Sequence, residues 1–118
     1  TTGAHVLSYP LTARYHIPHG TGCAVTLPAF IRISAEKAGK KMQTLAEALG
    51  YIDVEALADG VCDLMRSLEM PVALRKIGAK AEELSGIVKD AMNYYPQLSL
   101  TPAVMTEETV LDLLKSVY

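Results

Sequence analysis

The chain is poor in several residue types and features, and each scarcity excludes a class of protein. Its two cysteines, Cys23 and Cys62, are too few for a disulfide scaffold, and both lie in apolar helical patterns typical of reduced, intracellular thiols. A net charge of −2 gives no electrostatic basis for binding nucleic acid or an anionic membrane surface. No apolar run reaches the roughly 20 residues that cross a bilayer, and no signal peptide is visible. We therefore expect a cytoplasmic protein that binds neither nucleic acid nor membrane.

The chain also lacks an initiator methionine and a polar lead-in. The opening stretch "TTGAHVLSYPL" is apolar-rich and patterned by its fourth residue, whereas a natural domain usually opens with polar residues or a helix cap. The 118 residues, half of them hydrophobic and a fifth charged, are enough for one domain with one core. We expect this domain to be a piece of a larger protein.

Strand patterns are missing as well, because no segment alternates between apolar and polar residues with a period of two. Apolar residues instead recur at helical spacing, which predicts an all-α bundle of about five to six helices. Proline at position 10 interrupts the first predicted helix, so we expect a kink there or a partner for the freed carbonyl. The second helix is apolar nearly all round. The first two predicted helices cover residues 3–14 and 19–33. A third is capped by Ser34 and ends at Gly50, and a fourth is capped by Asp53 and closed by Pro71. A fifth runs from about Lys80 to Tyr94, and the last is capped by Thr106.

All three histidines lie within the first 19 residues. His5 is on the first predicted helix, His19 starts the second, and a tight turn between them can bring the two side chains together. Imidazole is the commonest neutral metal ligand, and Gly20 beside His19 would let another group approach closely. On spacing alone the pair remains either a metal site or two ordinary histidines. His16 lies in the turn, where we expect it to face solvent or to support the site residues, with a substrate contact as the alternative.

The stretch "GAHVLSYPLTARYHIPHGTGCAVTLPAFIRI" resembles the signature of the iron-containing alcohol dehydrogenase family. The spacing of His5 and His19 is similar to that of the family's two later metal-ligand histidines. Looser similarity extends through "KMQTLAEALG" to the C-terminal "LTPAVMTEETVLDLLKSVY". The residues that fall on or near the signature are Gly3, His5, Pro10, Leu11, Tyr15, Pro18, His19, Gly20, Ala24, Leu27 and Pro28.

This resemblance implies a two-domain parent protein. An N-terminal α/β half would bind the nicotinamide cofactor, NAD(H) or NADP(H), and a C-terminal helical half would hold a divalent metal in the cleft. Residues 1–118 would be a single, partial, metal-binding helical domain, because the chain has no GGGS-like or G-x-G-x-x-G segment. The resemblance makes His5 and His19 two of four metal ligands, with Fe²⁺ as the expected ion and Zn²⁺ as the alternative.

The activity implied by the resemblance is that of an alcohol dehydrogenase, which interconverts an alcohol and an aldehyde or ketone. The expected partners are a small alcohol or aldehyde substrate and further copies of the same chain, and we expect this chain alone to be inactive. Two alternatives stay open. One is a sibling without that activity, similar to maleylacetate reductase or dehydroquinate synthase; the other is a free-standing helical module for protein association.

One position departs from the family pattern. Many members carry a second histidine one helical turn after the first ligand, and here that position is Tyr9. Residues i and i+4 share a helix face, so we predict that the Tyr9 hydroxyl lines the same cleft as His5. Tyr9 is the candidate catalytic residue. Because tyrosine is a weak base, either the proton leaves by another path or Tyr9 serves substrate binding.

Other candidates in the signature region have plainer interpretations. Cys23 is one helical turn after His19, so a His–Cys metal pair is geometrically possible, although a buried apolar thiol is the favoured reading. Arg14 and Arg32 could bind an anionic substrate group, but ordinary surface roles are favoured. Finally, 118 residues cannot easily surround the second helix, which predicts exposed apolar surface there and self-association.

Overall fold

The computed structural model describes residues 2–118, which form α-helices and short 3₁₀ turns with no strand among them. The predicted all-α class is therefore confirmed. The helices are α1 (Gly3–Tyr15), α2 (His19–Ala48), α3 (Val54–Ser67), α4 (Leu84–Met92), α5 (Tyr95–Leu98) and α6 (Glu107–Ser116), with 3₁₀ turns at Leu74–Ile77 and Ala81–Glu83.

Helices α1 and α2 pack tightly against each other and are joined by the short turn at residues 16–18. His16 ends α1 in the left-handed conformation (φ 53°, ψ 32°), and its N–H donates to the carbonyl of Thr12. A Cβ at Gly22 would lie 3.2 Å from Cβ and 3.3 Å from Cα of Ser8. The helices approach closely because Gly22 has no side chain. Gly20 does not set this helix approach, since a Cβ there would meet nothing within 4 Å; that it lets another group approach His19 stays a prediction.

Residues 19–48, α2, form two helical segments joined at a kink, which agrees with the two helices predicted here, although the boundary between them is not at Ser34. The predicted cap at Ser34 is wrong: this residue lies inside α2 and is buried. The chain bends at Ala38 (φ −111°, ψ 23°), where the following Gly39 is a weak helix former. We call residues 19–37 the first arm of α2 and residues 39–48 the second arm.

The caps of α3 and α6 are confirmed. The carboxylate of Asp53 accepts the N–H of Ala56 at 2.8 Å, and the hydroxyl of Thr106 accepts the N–H of Thr109 at 3.2 Å. These bonds satisfy N–H groups that have no partner within the helix.

Helix α1 runs from Gly3 to Tyr15 with Pro10 inside it. One prediction about helix length is wrong. The predicted fifth helix from Lys80 to Tyr94 is shorter, because residues 81–83 form a 3₁₀ turn before α4 begins at Leu84. The N–H of Lys80 donates to the Glu83 carboxylate at 2.9 Å, which stabilises that tighter turn.

The core lies between α1, the first arm of α2, and the C-terminal helices. The prediction that the first arm exposes its apolar surface is wrong for most of that surface, although Leu27 is 40% exposed. The most exposed large hydrophobic side chains lie elsewhere: Leu49, Ile52, Leu64, Leu68 and Leu100. Self-association stays a prediction.

Among residues 2–118, no helix combines the length and apolarity that a membrane crossing requires. The largest fully buried hydrophobic side chains are Leu7, Leu11, Leu74, Ile87, Leu98 and Leu114.

Candidate metal centre

The two predicted ligand histidines meet at the α1–α2 junction. His5 Nδ1 lies 3.3 Å from His19 Nε2, and the two rings are nearly perpendicular, with centroids 4.6 Å apart. Ligands of a tetrahedral ion with metal–nitrogen bonds of about 2.0–2.1 Å lie about 3.3–3.4 Å from each other. The separation of these two nitrogens therefore fits one bound divalent ion.

Cys23 joins this pair from the next turn of α2. Its Sγ lies 3.7 Å from His19 Nε2 and 3.9 Å from His5 Nδ1. The three ligand atoms all fall within 4.8 Å of one another. The expectation that Cys23 is a buried apolar thiol is wrong, because the side chain is partly exposed and its sulfur faces two imidazole nitrogens.

Ser8 orients the His19 ring from α1. Its hydroxyl donates to the His5 carbonyl at 2.6 Å and lies 3.0 Å from His19 Nδ1. Because a serine hydroxyl has one hydrogen, and the His5 carbonyl takes it, His19 Nδ1 must be the donor in the second bond. The neutral ring then carries its lone pair on Nε2, the nitrogen that faces His5 and Cys23.

Tyr9 lies on the same side of α1 as His5. Its ring packs edge-on against the His5 ring, with centroids 5.1 Å apart, and lies nearly parallel to the His19 ring at 6.1 Å. On its other side it contacts Tyr94 at a centroid distance of 4.9 Å. The structure thus brings the three predicted site residues together.

A groove of about 360 Å³ opens beside these rings. Thr12 Oγ1 is buried and has no hydrogen-bond partner among residues 2–118, and Thr12 belongs to the groove wall. A groove of this size, next to the paired imidazoles, can admit a small polar molecule. Its lining residues are Tyr9, Thr12, Ala13, His19, Tyr94 and Gln97.

The charged candidates and His16 lie outside this cluster. Arg14 donates from Nε and Nη2 to the Asp90 carboxylate, at 2.9 and 2.7 Å. Arg32 forms ion pairs with Glu55 and Asp59 of α3. These carboxylates compensate both guanidinium charges, which agrees with ordinary structural roles. His16 is exposed in the turn, as expected.

The pKa values of a tyrosine–glutamate pair are shifted where α1 ends. Burial, together with the hydrogen bond from its hydroxyl to Glu83 at 2.9 Å, raises the pKa of Tyr15 to about 12. The N–H of Lys80 and the Tyr15 hydroxyl hold the pKa of Glu83 below its ordinary value. The pair joins the site-bearing helix to the 3₁₀ turn before α4.

Three residues of the site were not assigned to it from the sequence, and two of them carry a spacing signal. Cys23 is four residues after His19, so the two share a face of α2. Ser8 is three residues after His5, the distance at which a serine hydroxyl reaches back to a helix carbonyl. The groove-lining Thr12 gives no such signal, because its position depends on Tyr94 and Gln97 of a distant segment.

Known proteins of one family match this chain. The model of the "Fe-containing alcohol dehydrogenase family, C-terminal" matches residues 1–118. Alcohol dehydrogenase 4 of Saccharomyces cerevisiae is 30% identical over 118 residues, covering 97% of this chain and 31% of the yeast protein. Lactaldehyde reductase of Escherichia coli is 29% identical over 98 residues, covering 75% of this chain and 25% of that enzyme.

Solved structures agree with the fold. The crystal structure of sulfoacetaldehyde reductase from Bifidobacterium kashiwanohense in complex with NAD⁺ superposes with a TM-score of 0.87 and 30% identity, over 99% of this chain and 31% of that one. A 1,3-propanediol oxidoreductase superposes with a TM-score of 0.83 over 98% of this chain and 32% of that one, at 20% identity, and supports the fold alone.

The chain spans about a quarter to a third of the length of the relatives that it matches. The named relatives are alcohol dehydrogenases and aldehyde reductases, and the family is one of oxidoreductases. Because the family model covers the whole chain, the protein belongs to the Fe-containing alcohol dehydrogenase family and corresponds to its C-terminal part.

Proposed function

We propose that this chain is the metal-binding helical part of an NAD(P)-dependent alcohol dehydrogenase, which interconverts a small alcohol and an aldehyde or ketone. The observation that carries the proposal is the 3.3 Å approach of His5 Nδ1 and His19 Nε2 across the α1–α2 junction. The identity of the relatives supports the reaction class, since each named relative is a dehydrogenase or reductase.

A divalent ion at this junction would be held by His5 and His19. The family description favours Fe²⁺, and the imidazole pair is also compatible with Zn²⁺. When bound, such an ion would supply Lewis-acid stabilisation of an alcohol or carbonyl oxygen, and NAD(H) or NADP(H) would supply or accept the hydride. We assign nicotinamide binding mainly to the α/β half that the resemblance implies, because residues 1–118 contain no glycine-rich dinucleotide turn.

Tyr9 and the adjoining groove would hold the substrate. The Tyr9 ring forms part of the groove wall next to His19, so a small molecule in the groove lies beside the imidazole pair. The phenolic hydroxyl is a hydrogen-bond donor toward a substrate oxygen. These residues orient the substrate and limit its size; Tyr9 is the one we propose to touch the reacting group.

Two histidine substitutions and a matched control test the proposal. In an enzyme in which this chain is joined to its α/β half, His5→Ala and His19→Ala should each lower metal content and remove most of the metal-dependent, nicotinamide-linked aldehyde reduction. His16→Ala should leave both unchanged, because His16 is exposed and outside the cluster. Full metal content and full activity after either cluster substitution would refute the assignment.

A further inference from the structure

We propose that Tyr94 determines the length of substrate that the groove beside the imidazole pair accepts, and that Gln97, on the same wall, selects substrates with a second oxygen. The inference rests on the proposed function, because it names the substrate class of that same site. The preferred substrate is a short aldehyde with a hydroxyl or carbonyl oxygen at the end away from the reacting carbon.

Two elements line the groove in addition to His19. The α1 wall consists of residues spaced i, i+3 and i+4, which share one helix face: Tyr9, Thr12 and Ala13. The second wall is supplied by Tyr94, the N-terminal cap position of α5, and by Gln97 within that helix. A molecule in the groove therefore contacts the site-bearing helix and the C-terminal part of the chain together.

The distances between the rings place Tyr94 close to the reacting end of the substrate. Tyr9 contacts the His5 ring at a centroid distance of 5.1 Å and the Tyr94 ring at 4.9 Å. Tyr94 is thus separated from the imidazole pair by a single ring. A substrate whose reacting oxygen lies at the imidazoles meets the Tyr94 ring after a short chain, and a longer or bulkier chain must displace that ring.

The α1 wall gives a scale for the length of that chain. From Tyr9 to Ala13 the helix rises about 6 Å, at about 1.5 Å per residue. About four bonds between carbon or oxygen atoms, each about 1.5 Å long, cover this distance. The groove then fits about three carbons between a reacting oxygen and a second, terminal oxygen.

The backbone of Tyr94 is fixed by the core on both sides. Its N–H donates to the carbonyl of Ala91 at 2.9 Å, and its own carbonyl accepts the N–H of Leu98 at 3.0 Å. Ala91 and Leu98 are both fully buried. The Tyr94 side chain itself is 41% exposed, so the ring forms a wall on a rigid support, and its replacement leaves no cavity in the core.

Gln97 supplies a polar group at the same wall. Its side chain is exposed, and its carboxamide offers one acceptor oxygen and two N–H donors. It can therefore donate to a carbonyl oxygen or exchange a hydrogen bond with a hydroxyl. A methyl group in the same position gains nothing from the amide, so Gln97 distinguishes a terminal oxygen from a terminal carbon.

A chain-length series tests Tyr94 in the enzyme in which this chain is joined to its α/β half. The wild type should reduce propanal with a higher kcat/KM than octanal. Tyr94→Ala should raise the octanal-to-propanal ratio of kcat/KM at least about 10-fold, and Tyr94→Trp should lower it. Tyr95→Ala is the matched control, because this neighbouring tyrosine is 48% exposed and lies outside the groove. Circular dichroism and metal content establish that each variant is folded and loaded.

A pair of aldehydes of equal length tests Gln97. 3-Hydroxypropanal and butanal have the same number of non-hydrogen atoms and differ in a terminal hydroxyl or methyl. Gln97→Met keeps the length of the side chain and removes its polar atoms, so kcat/KM for 3-hydroxypropanal relative to butanal should fall about 3–10-fold. The control Gln43→Met changes the chain's other glutamine, which is exposed in the second arm of α2, and should leave the ratio unchanged.

The outcomes separate this inference from the proposed function. A joined wild-type enzyme that reduces no aldehyde would overturn both. Metal-dependent aldehyde reduction with the same chain-length profile in wild type, Tyr94→Ala and Tyr94→Trp would overturn the role of Tyr94 and leave the proposed function standing. An unchanged ratio for 3-hydroxypropanal and butanal in active Gln97→Met would overturn the role of Gln97.

Discussion

The two arms of α2, which the kink at Ala38 separates, differ in what surrounds them. The first arm carries most of the buried residues of α2, packs against α1 and supplies two of the three candidate ligands. The second arm contributes only Ala46 to the buried set and exposes Leu45, and Leu49, directly after it, is also exposed. A metal site requires its ligand atoms to be positioned to within a few tenths of an ångström, so it lies where packing fixes the backbone. The bend at Ala38 separates that region from the rest of α2.

The difference between the arms predicts a large difference in stability effects. Phe30 of the first arm is 5% exposed and packs in the core, so Phe30→Ala should lower the free energy of unfolding by about 3–5 kcal/mol. Leu49, which caps the end of the second arm, is 58% exposed. Leu49→Ala should therefore change the free energy of unfolding by less than about 0.5 kcal/mol. Urea denaturation measures both; similar losses for the two variants would show that the arms do not differ in this way.

A glycine pair sharpens the comparison. Gly22→Val adds atoms next to the Ser8 backbone, which should separate α1 from α2, cost about 1–3 kcal/mol of stability and abolish metal binding. Gly39 is the control from the second arm, since a Cβ there meets nothing within 4 Å. Gly39→Ala should leave metal binding intact and stabilise the helix by up to about 1 kcal/mol. Metal binding that survives in Gly22→Val would contradict the view that helix approach sets the site.

The smallest expected effect is a dependence of stability on pH at the end of α1. The pKa of Tyr15 is raised from 10.0 to about 12 in the folded chain, so its stabilising contribution is complete below pH 10 and is lost as the pH rises toward 12. The unfolding free energies of wild type and Tyr15→Phe should therefore converge over that interval. Tyr95→Phe, which removes an exposed hydroxyl, is the control. A difference that stays constant from pH 10 to 12 would refute the linkage.

Much of the fold follows from local signals in the sequence. Asp53 and Thr106 cap helices as predicted, because an N-cap depends only on residues three positions away. Ser34 was wrongly predicted as a cap for the same local reason. Its side chain is buried within α2, and the packing that extends the helix through it comes from distant residues that a local pattern does not contain.

The site was predictable in part. The family resemblance and the spacing of the two histidines predict that His5, His19 and Tyr9 share one site. The sequence favours a packing role for Cys23. Its hydrophobic neighbours in the sequence indicated burial, but the end of α2 at which it lies is partly exposed and faces α1. The helix-crossing geometry at Gly22 decides which nitrogen and sulfur atoms meet, and a one-dimensional pattern does not contain that geometry.

The central claim, that His5 and His19 hold one metal ion, is tested most directly by anomalous diffraction. Crystals of the chain grown with Zn²⁺ and measured at the zinc edge should show one strong peak at the α1–α2 junction. The account predicts that this peak lies about 2.0–2.1 Å from His5 Nδ1 and His19 Nε2. Ordered, metal-free imidazoles at the junction, with zinc peaks only at other side chains, would contradict it.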